Sequence, residues 1–138
     1  IEFAQELKNK KLNFENVSVD EMIKRKKKFK FITSFEVIEH QYLPDDFLNK
    51  MYQLLDDDGV LLITTPYNGY IKNLIISILG KHDFHYNPLW RHGHIKFFTT
   101  RTLKMILNKC NFEVIKKSFS GRFYPISCSM IFLSKKIK

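Results

Sequence analysis

The chain has 138 residues, of which 44% are hydrophobic and 27% are charged. This length and composition are typical of one globular domain with a single hydrophobic core. The formal charge of +9 favours an anionic partner, but most basic residues are scattered lysines, and only Lys24–Lys28 forms a block. No nucleic-acid-binding motif accompanies that block, so nucleic acid is not an expected partner.

Cysteine usage and hydropathy exclude further classes. Cys110 and Cys128 lie far apart and outside any C-x-x-C pattern, which argues against a disulfide scaffold and against a structural zinc site. The thiols predict a reducing, cytoplasmic compartment. The longest apolar run, Asn73–Gly80, is much shorter than the ~20 residues that a membrane-spanning helix needs.

The N-terminal half predicts helices alternating with strands. Ile1–Lys10 has apolar residues at helical spacing, whereas Phe14–Val19 alternates apolar and polar residues and predicts a strand. A basic helix or turn follows. Phe29–Phe35 is apolar enough for a buried strand. Pro44 and the two acids after it then predict the start of a helix.

The C-terminal half continues this alternation. Asp56–Gly59 predicts a turn, and Val60–Thr65 is a nearly continuous apolar run, typical of a parallel strand buried on both faces. A helix capped by Thr99 follows. The last two predicted strands are Phe112–Phe119 and Cys128–Leu133. We therefore expect one α/β domain over residues 1–138, with a lid or substrate-binding insertion at about 67–93.

Three motifs carry a family resemblance. The first is Phe31–His40, a hydrophobic strand that runs into E-V-I-E-H. The second is Leu54–Pro66, a leucine-rich turn followed by a glycine, a strand and T-P. The third is His94–Thr99, which is followed by a helix and then by Asn111–Val114. In this order they resemble class I S-adenosylmethionine-dependent methyltransferases, particularly the branch of the ubiquinone-biosynthesis O-methyltransferases. The resemblance implies a Rossmann-like sheet.

The chain departs from the family pattern in three places. Lys30 stands where the family has an acid, and Asp57-Asp58-Gly59 stands where it has P-G-G. More importantly, the G-x-G-x-G turn and the first two strands of the family's sheet are missing. We therefore expect a sheet that is incomplete at its N-terminal side, with the strand at Phe29–Phe35 as an exposed apolar edge. A missing N-terminal segment or a partner chain would complete it.

The resemblance also implies cofactor-binding residues for S-adenosylmethionine. Asp20 stands where an acid receives the adenine amino group, and Glu21 and Met22 would flank the ring. Phe35 and Glu36 follow the strand that lies beside the methyl donor. The alternative is that Asp20 and Glu21 only cap the helix that follows them.

Glu36, Glu39 and His40 form the candidate reactive cluster. In ubiquinone-pathway relatives a similar E-x-x-E-H group resembles a divalent-metal site, and magnesium bound there would acidify an acceptor hydroxyl. Without a metal, Glu39 and His40 would make local hydrogen bonds. His40 is also a candidate general base. Glu36 and His94 complete the predicted catalytic set. The resemblance implies that the H-I-K-F-F-T element, which begins at His94, either lines the acceptor pocket or orders the next helix.

The insertion is longer than an unstructured connection needs to be. Its apolar run from Leu74 to Leu79 predicts a lid over an apolar substrate, a peripheral membrane contact through residues 70–81, or a helix packed on its own domain. Tyr86 and Trp90 suit a pocket wall. The insertion also contains a histidine-rich stretch with His82, Asp83, His85, His92 and His94. These residues could form a second metal site, although their spacings match no standard zinc pattern.

Two functions remain open at this point. The first is methyl transfer from S-adenosylmethionine to a small molecule, with oxygen as the expected acceptor atom, by a protein of which this chain is a fragment inactive alone. The second is a non-catalytic Rossmann-derived subunit whose basic surface binds a partner. The expected location is cytoplasmic, with contact to a membrane surface as an alternative.

Overall fold

The computed structural model describes residues 12–137, so the predicted helix Ile1–Lys10 lies outside the described part. The helices are α1 (Val19–Lys24), α2 (Pro44–Leu54), α3 (Tyr70–Ile78), α4 (His82–His85) and α5 (Thr100–Lys109), with a 3₁₀ turn at Ile38–His40. The strands are β1 (Phe29–Phe35), β2 (Leu55–Pro66), β3 (Phe112–Ser120) and β4 (Ser129–Lys136). Among the described helices, none has the length and apolar character needed to cross a membrane.

The four strands form one mixed sheet in the order β1-β2-β4-β3. β1 pairs with β2 in parallel, which requires the crossover that the 3₁₀ turn and α2 provide, and β4 pairs antiparallel with both β2 and β3. The core contains Ile38, Leu48 and Leu54 from the crossover, Leu61 and Ile63 from β2, Leu103 and Leu107 from α5, and Phe112 and Phe132 from the last strands. The predicted α/β class is confirmed.

The strand predicted at Val60–Thr65 is the centre of the sheet, but it is longer than predicted. Asp56–Gly59 does not form a separate turn and lies within β2. Phe29 faces Leu55 while Phe31 faces Val60, so β2 bulges away from β1 over this acidic stretch. A bulge absorbs the extra residues without ending the strand.

The prediction of a strand at Phe14–Val19 is wrong. Residues 13–18 have no regular secondary structure, and a helix begins at Val19. The side chain of Ser18 caps this helix by accepting a hydrogen bond from the backbone N–H of Glu21 at 3.1 Å. A strand also needs a hydrogen-bonded neighbour, and within residues 12–137 no strand lies beside the outer edge of β1.

That outer edge of β1 is apolar, as predicted. Phe31 is 52% exposed and Phe35 is 61% exposed. Both line an open groove of about 440 Å³ that runs along the edge, with Met22, Phe47 and other apolar side chains on its far wall.

The C-terminal elements agree with their predictions within a few residues. Thr99 caps α5, because its hydroxyl accepts a hydrogen bond from the backbone N–H of Thr102 at 3.2 Å. The two final strands extend a little beyond the predicted ends. The insertion contains two helices, α3 and the short α4, where one was expected.

Candidate functional site

The carboxyl ends of β1 and β2 lie at the same edge of the sheet because these strands are parallel, and such edges form ligand crevices in α/β folds. Glu36 follows β1 directly and has a left-handed backbone, with φ of 49°. Its backbone N–H donates to the carbonyl oxygen of Thr64 at 3.2 Å, and its carboxylate accepts from the Thr64 hydroxyl at 2.8 Å. These bonds to β2 hold an otherwise strained residue in place.

Glu39 is the buried acid of the site. The 3₁₀ turn carries it into the interior, where it is 0% exposed. Its Oε2 accepts a hydrogen bond from the Thr65 hydroxyl at 3.0 Å. Its backbone carbonyl accepts from the N–H groups of Ile95 at 3.0 Å and Lys96 at 2.9 Å. Glu39 therefore ties the turn both to β2 and to the segment that follows Gly93.

Glu39, His40 and His94 converge, with one ligand atom from each lying within 4.8 Å of the others. Oε1 of Glu39 lies 4.0 Å from Nε2 of His40 and has no hydrogen-bond partner among the described residues. The two imidazole centroids are 4.9 Å apart. A free carboxylate oxygen beside two imidazoles can hold a divalent cation or stabilise a protonated histidine.

The tautomer of His40 follows from its neighbour. Nδ1 lies 3.3 Å from the carbonyl oxygen of Gly93, and a carbonyl oxygen only accepts hydrogen bonds. Nδ1 therefore carries the proton, which leaves the lone pair of Nε2 on the side of Glu39. This nitrogen can accept a proton or bind a metal.

Burial dominates the electrostatics of the site. It raises the pKa of the Glu39 carboxyl above its ordinary value, because desolvation disfavours the charged form, and the negative charge of Glu36 raises it further. A hydrogen bond from its own backbone N–H, the Thr65 hydroxyl and the charge of His94 act in the opposite direction without cancelling the shift.

An aromatic cavity of about 550 Å³ adjoins this cluster through His94. Tyr86, Trp90 and Phe97 contribute to its wall. The Tyr86 hydroxyl lies 2.7 Å from Oδ1 of Asn73 on α3, and its ring packs edge-on against Phe97 with centroids 5.1 Å apart. The insertion thus supplies much of the wall of this cavity, and the size of the cavity suits a small aromatic molecule.

The predicted reactive residues come together with one change. Glu39, His40 and His94 form the compact cluster, whereas Glu36 stands beside it with its carboxylate bonded to Thr64. Of the histidine-rich stretch only His94 joins the cluster. His82 bonds to the Ser77 hydroxyl at 2.9 Å, and His85 lines the cavity wall.

The predicted cofactor residues occupy two places. Asp20 and Glu21 lie in the first turn of α1, where Asp20 is bridged to Lys50 at 2.9 Å and Glu21 bonds to Arg25 at 3.1 Å. Met22 and Phe35 line the groove beside β1.

The sequence analysis did not identify Thr64 and Thr65 as site residues and described them only as the end of an apolar strand. Polar residues that interrupt such a run at its carboxyl end are the signal that could have identified them.

A family model described as "Methyltransferase domain" matches residues 1–117. The chain is 32% identical over 101 residues to the ubiquinone biosynthesis O-methyltransferase of Pelagibacter ubique, covering 72% of this chain and 42% of the relative. It is 25% identical over 132 residues to the mitochondrial ubiquinone biosynthesis O-methyltransferase of Dictyostelium discoideum, covering 93% of this chain and 40% of that protein. The chain thus spans less than half the length of these relatives.

Solved structures share the fold. An S-adenosylmethionine-dependent methyltransferase from Archaeoglobus fulgidus superposes with a TM-score of 0.64 at 14% identity, covering 99% of this chain and 73% of that one. The 1,6-didemethyltoxoflavin-N1-methyltransferase of Burkholderia thailandensis, with bound 1,6-didemethyltoxoflavin and S-adenosylhomocysteine, gives 0.60 at 14% identity, covering 82% and 46%. At this identity the likeness extends to the fold only.

Proposed function

Since the chain belongs to the methyltransferase domain family, among the class I S-adenosylmethionine-dependent enzymes, we propose that it forms the acceptor side of an enzyme that methylates an oxygen of a small molecule. The observation that carries this proposal is the cluster of Glu39, His40 and His94 beside the aromatic cavity. The identity of the curated relatives as O-methyltransferases supports oxygen as the acceptor atom.

S-adenosylmethionine supplies a methyl group on a positively charged sulfur, and the acceptor oxygen displaces that sulfur in line. The protein must position the acceptor and take up the proton that its hydroxyl loses. Nε2 of His40 is the proton acceptor, because Nδ1 already donates to Gly93. Oε1 of Glu39 faces the resulting imidazolium, and Tyr86 and Trp90 hold the acceptor ring.

For the cofactor we propose the groove beside β1 and the carboxyl end of that strand. Phe35 and Met22 offer apolar contacts to an adenine ring there, and Glu36 stands at the end of β1 nearest the reactive cluster. Asp20 is exposed and Glu21 is half-buried in the first turn of α1, and both would receive the polar groups of the nucleoside.

The donor set also fits a divalent cation, but one carboxylate and two imidazoles suit a transition metal such as zinc or iron better than the magnesium that the sequence suggested, since magnesium prefers oxygen ligands. Glu39, His40 and His94 would hold it, and the unpartnered Oε1 of Glu39 is the observation that supports the fit. Glu36, predicted as a ligand, lies next to this set and would act on it through its charge. A bound cation lowers the pKa of an acceptor hydroxyl, so it assists the same proton loss that His40 otherwise accepts.

Replacing His40 tests the proposed function. In the complete methyltransferase that contains this chain, H40A should lower kcat about a hundredfold, since general-base catalysis contributes roughly 10²–10⁴. The Kd for S-adenosylhomocysteine should stay unchanged. Steady-state kinetics and calorimetry measure the two quantities.

The matched control for H40A is H92N. His92 is exposed and stands outside the cluster, and asparagine tolerates its left-handed backbone, which has φ of 63°. Full turnover by H40A would remove this histidine from the mechanism.

We further propose that α3 rests on the surface of a membrane. Tyr70, Ile78 and Leu79 are 80%, 75% and 58% exposed, an unusual density of apolar surface for one short helix. Lys81 is exposed beside this surface and suits anionic headgroups, whereas the ammonium of Lys72 donates to the carbonyl oxygens of Tyr67 and Cys128. Such contact would place the insertion at the source of an apolar acceptor. The free thiols of Cys110 and Cys128 are compatible with the cytoplasmic side.

A vesicle assay tests this membrane proposal. I78E should weaken binding to phosphatidylglycerol vesicles by about tenfold to a hundredfold, because it removes roughly 1.5–3 kcal/mol of apolar burial. M105E is the control, since Met105 is a 59% exposed residue on α5, a different helix. Equal sedimentation of I78E and the unmodified protein with vesicles would contradict the contact.

A further inference from the structure

The buried face of β2 contains one hydroxyl. Side chains alternate along a strand, and on this face Leu61, Ile63 and Thr65 are 0%, 1% and 0% exposed. Valine would pack equally well at the position of Thr65, because it has the same shape as threonine. A buried hydroxyl destabilises the fold unless it is hydrogen-bonded, so the presence of Thr65 points to a specific partner.

That partner is Glu39. The Thr65 hydroxyl donates to Oε2 at 3.0 Å, whereas Oε1 has no partner among the described residues and lies 4.0 Å from Nε2 of His40. One hydrogen bond therefore distinguishes the two oxygens of a fully buried carboxylate. It determines which oxygen faces the imidazoles.

The neighbouring threonine makes a similar bond with a different consequence. Thr64 points to the opposite face of β2 and donates to the carboxylate of Glu36 at 2.8 Å. Glu36 is exposed, so water can replace the Thr64 hydroxyl if it is lost. Glu39 has no exposed surface, and water cannot replace Thr65 there without opening the core.

We propose that Thr65 is a positioning residue of the acceptor site: its hydroxyl holds Oε2 of Glu39 and thereby keeps Oε1 directed at His40 and His94. The catalytic meaning of this role rests on the proposed function, but the geometric role does not. Thr65 contacts neither acceptor nor cofactor in this scheme and acts only through Glu39.

Histidine NMR on the 138-residue chain tests the geometric role without any turnover. In long-range ¹H–¹⁵N spectra at fixed pH, T65V should shift the imidazole resonances of both His40 and His94, because the carboxylate is free to rotate. T65S, which keeps the hydroxyl, should restore the original positions. T33V, the same change at an exposed position of β1, should leave them in place.

Unmoved His40 and His94 resonances in T65V would overturn the proposal. If circular dichroism shows that T65V does not fold, T65C gives the same comparison, since a thiol is only a weak donor of similar size. In that case unmoved resonances in T65C overturn it equally.

Kinetics on the complete methyltransferase separate this proposal from the proposed function. T65V should lower kcat about tenfold, the lower end of the effect of supporting residues around a site, with the KM for S-adenosylmethionine unchanged and with T65S close to the unmodified enzyme. An unchanged kcat in T65V would contradict the catalytic consequence. An unmodified protein without turnover would contradict the proposed function, while the NMR result still decides the role of Thr65.

Discussion

S-adenosylhomocysteine should bind the 138-residue chain about a hundredfold more weakly than it binds the same chain joined to a glycine-rich strand-turn-helix segment. In Rossmann-like folds, a glycine turn lets backbone N–H groups approach the ligand closely. The chain has five glycines, and none of them forms a G-x-G-x-G pattern. Three lost hydrogen bonds at about 1 kcal/mol each correspond to roughly a hundredfold in Kd. Isothermal titration calorimetry measures both affinities.

The free edge of β1 gives this expectation a structural basis. Its groove already exposes Phe31 and Phe35, and an added parallel strand would cover both while placing its glycine turn beside Glu36. The matched control is the joined protein with alanines at the glycines of the added turn, which should fold but lose the gain in affinity. Micromolar binding by the 138-residue chain itself would contradict the expectation, because the groove would then be a sufficient binding site.

E39Q should lower turnover of the complete enzyme about a hundredfold and also stabilise the fold at neutral pH. The glutamine carbonyl can still accept the hydrogen bond from Thr65, so the packing is preserved. The neutral side chain, however, places no negative charge 4.0 Å from Nε2 of His40, so it cannot stabilise the imidazolium that forms when this nitrogen takes up the proton. Removing a buried, unpaired charge stabilises a protein by roughly 1 kcal/mol or more. Kinetics and thermal unfolding with a chelator present measure the two effects.

The stabilisation by E39Q should depend on pH in a defined direction. Because burial raises the pKa of Glu39 in the folded state above its ordinary value of 4.5, the folded protein retains a proton that the unfolded chain releases. The contribution of this group to stability is therefore fully present below pH 4.5 and is lost as the pH rises through the folded-state pKa. The free energy of unfolding of the unmodified chain should accordingly fall relative to that of E39Q over this interval.

E113Q is the control for E39Q, since Glu113 is an exposed glutamate on β3. It should leave turnover unchanged. A constant stability difference between E39Q and the unmodified chain across the acidic range would show that Glu39 is not desolvated in the folded state. Unchanged turnover in E39Q would remove its carboxylate from the acceptor site.

Local sequence patterns correctly predicted the strands and helices whose pairing and packing partners lie within this chain. Val60–Thr65 is a central strand because its apolar run is buried by partners on both sides, and Thr99 caps α5 through a residue only three positions away. Phe14–Val19 has an equally good strand pattern, yet it forms no strand. A strand pattern is stable only with a hydrogen-bonded neighbour, and here the helix cap at Ser18 prevails.

The sequence by itself determined the order of strands and helices from Phe29 onward, apart from the short α4, and the place of E-V-I-E-H at the end of a strand, since each depends on residues close together in the chain. The apolar edge at β1 followed from the family resemblance, which implies two strands that this chain does not contain. Tertiary structure alone decided that Thr65 faces Glu39, that Glu36 bonds to Thr64, and that His40 meets the segment at Gly93, which is 53 positions away. The physical reason is that strand register and the crossover fix which distant side chains meet. The periodicity of a single segment does not predict which distant side chains will come into contact.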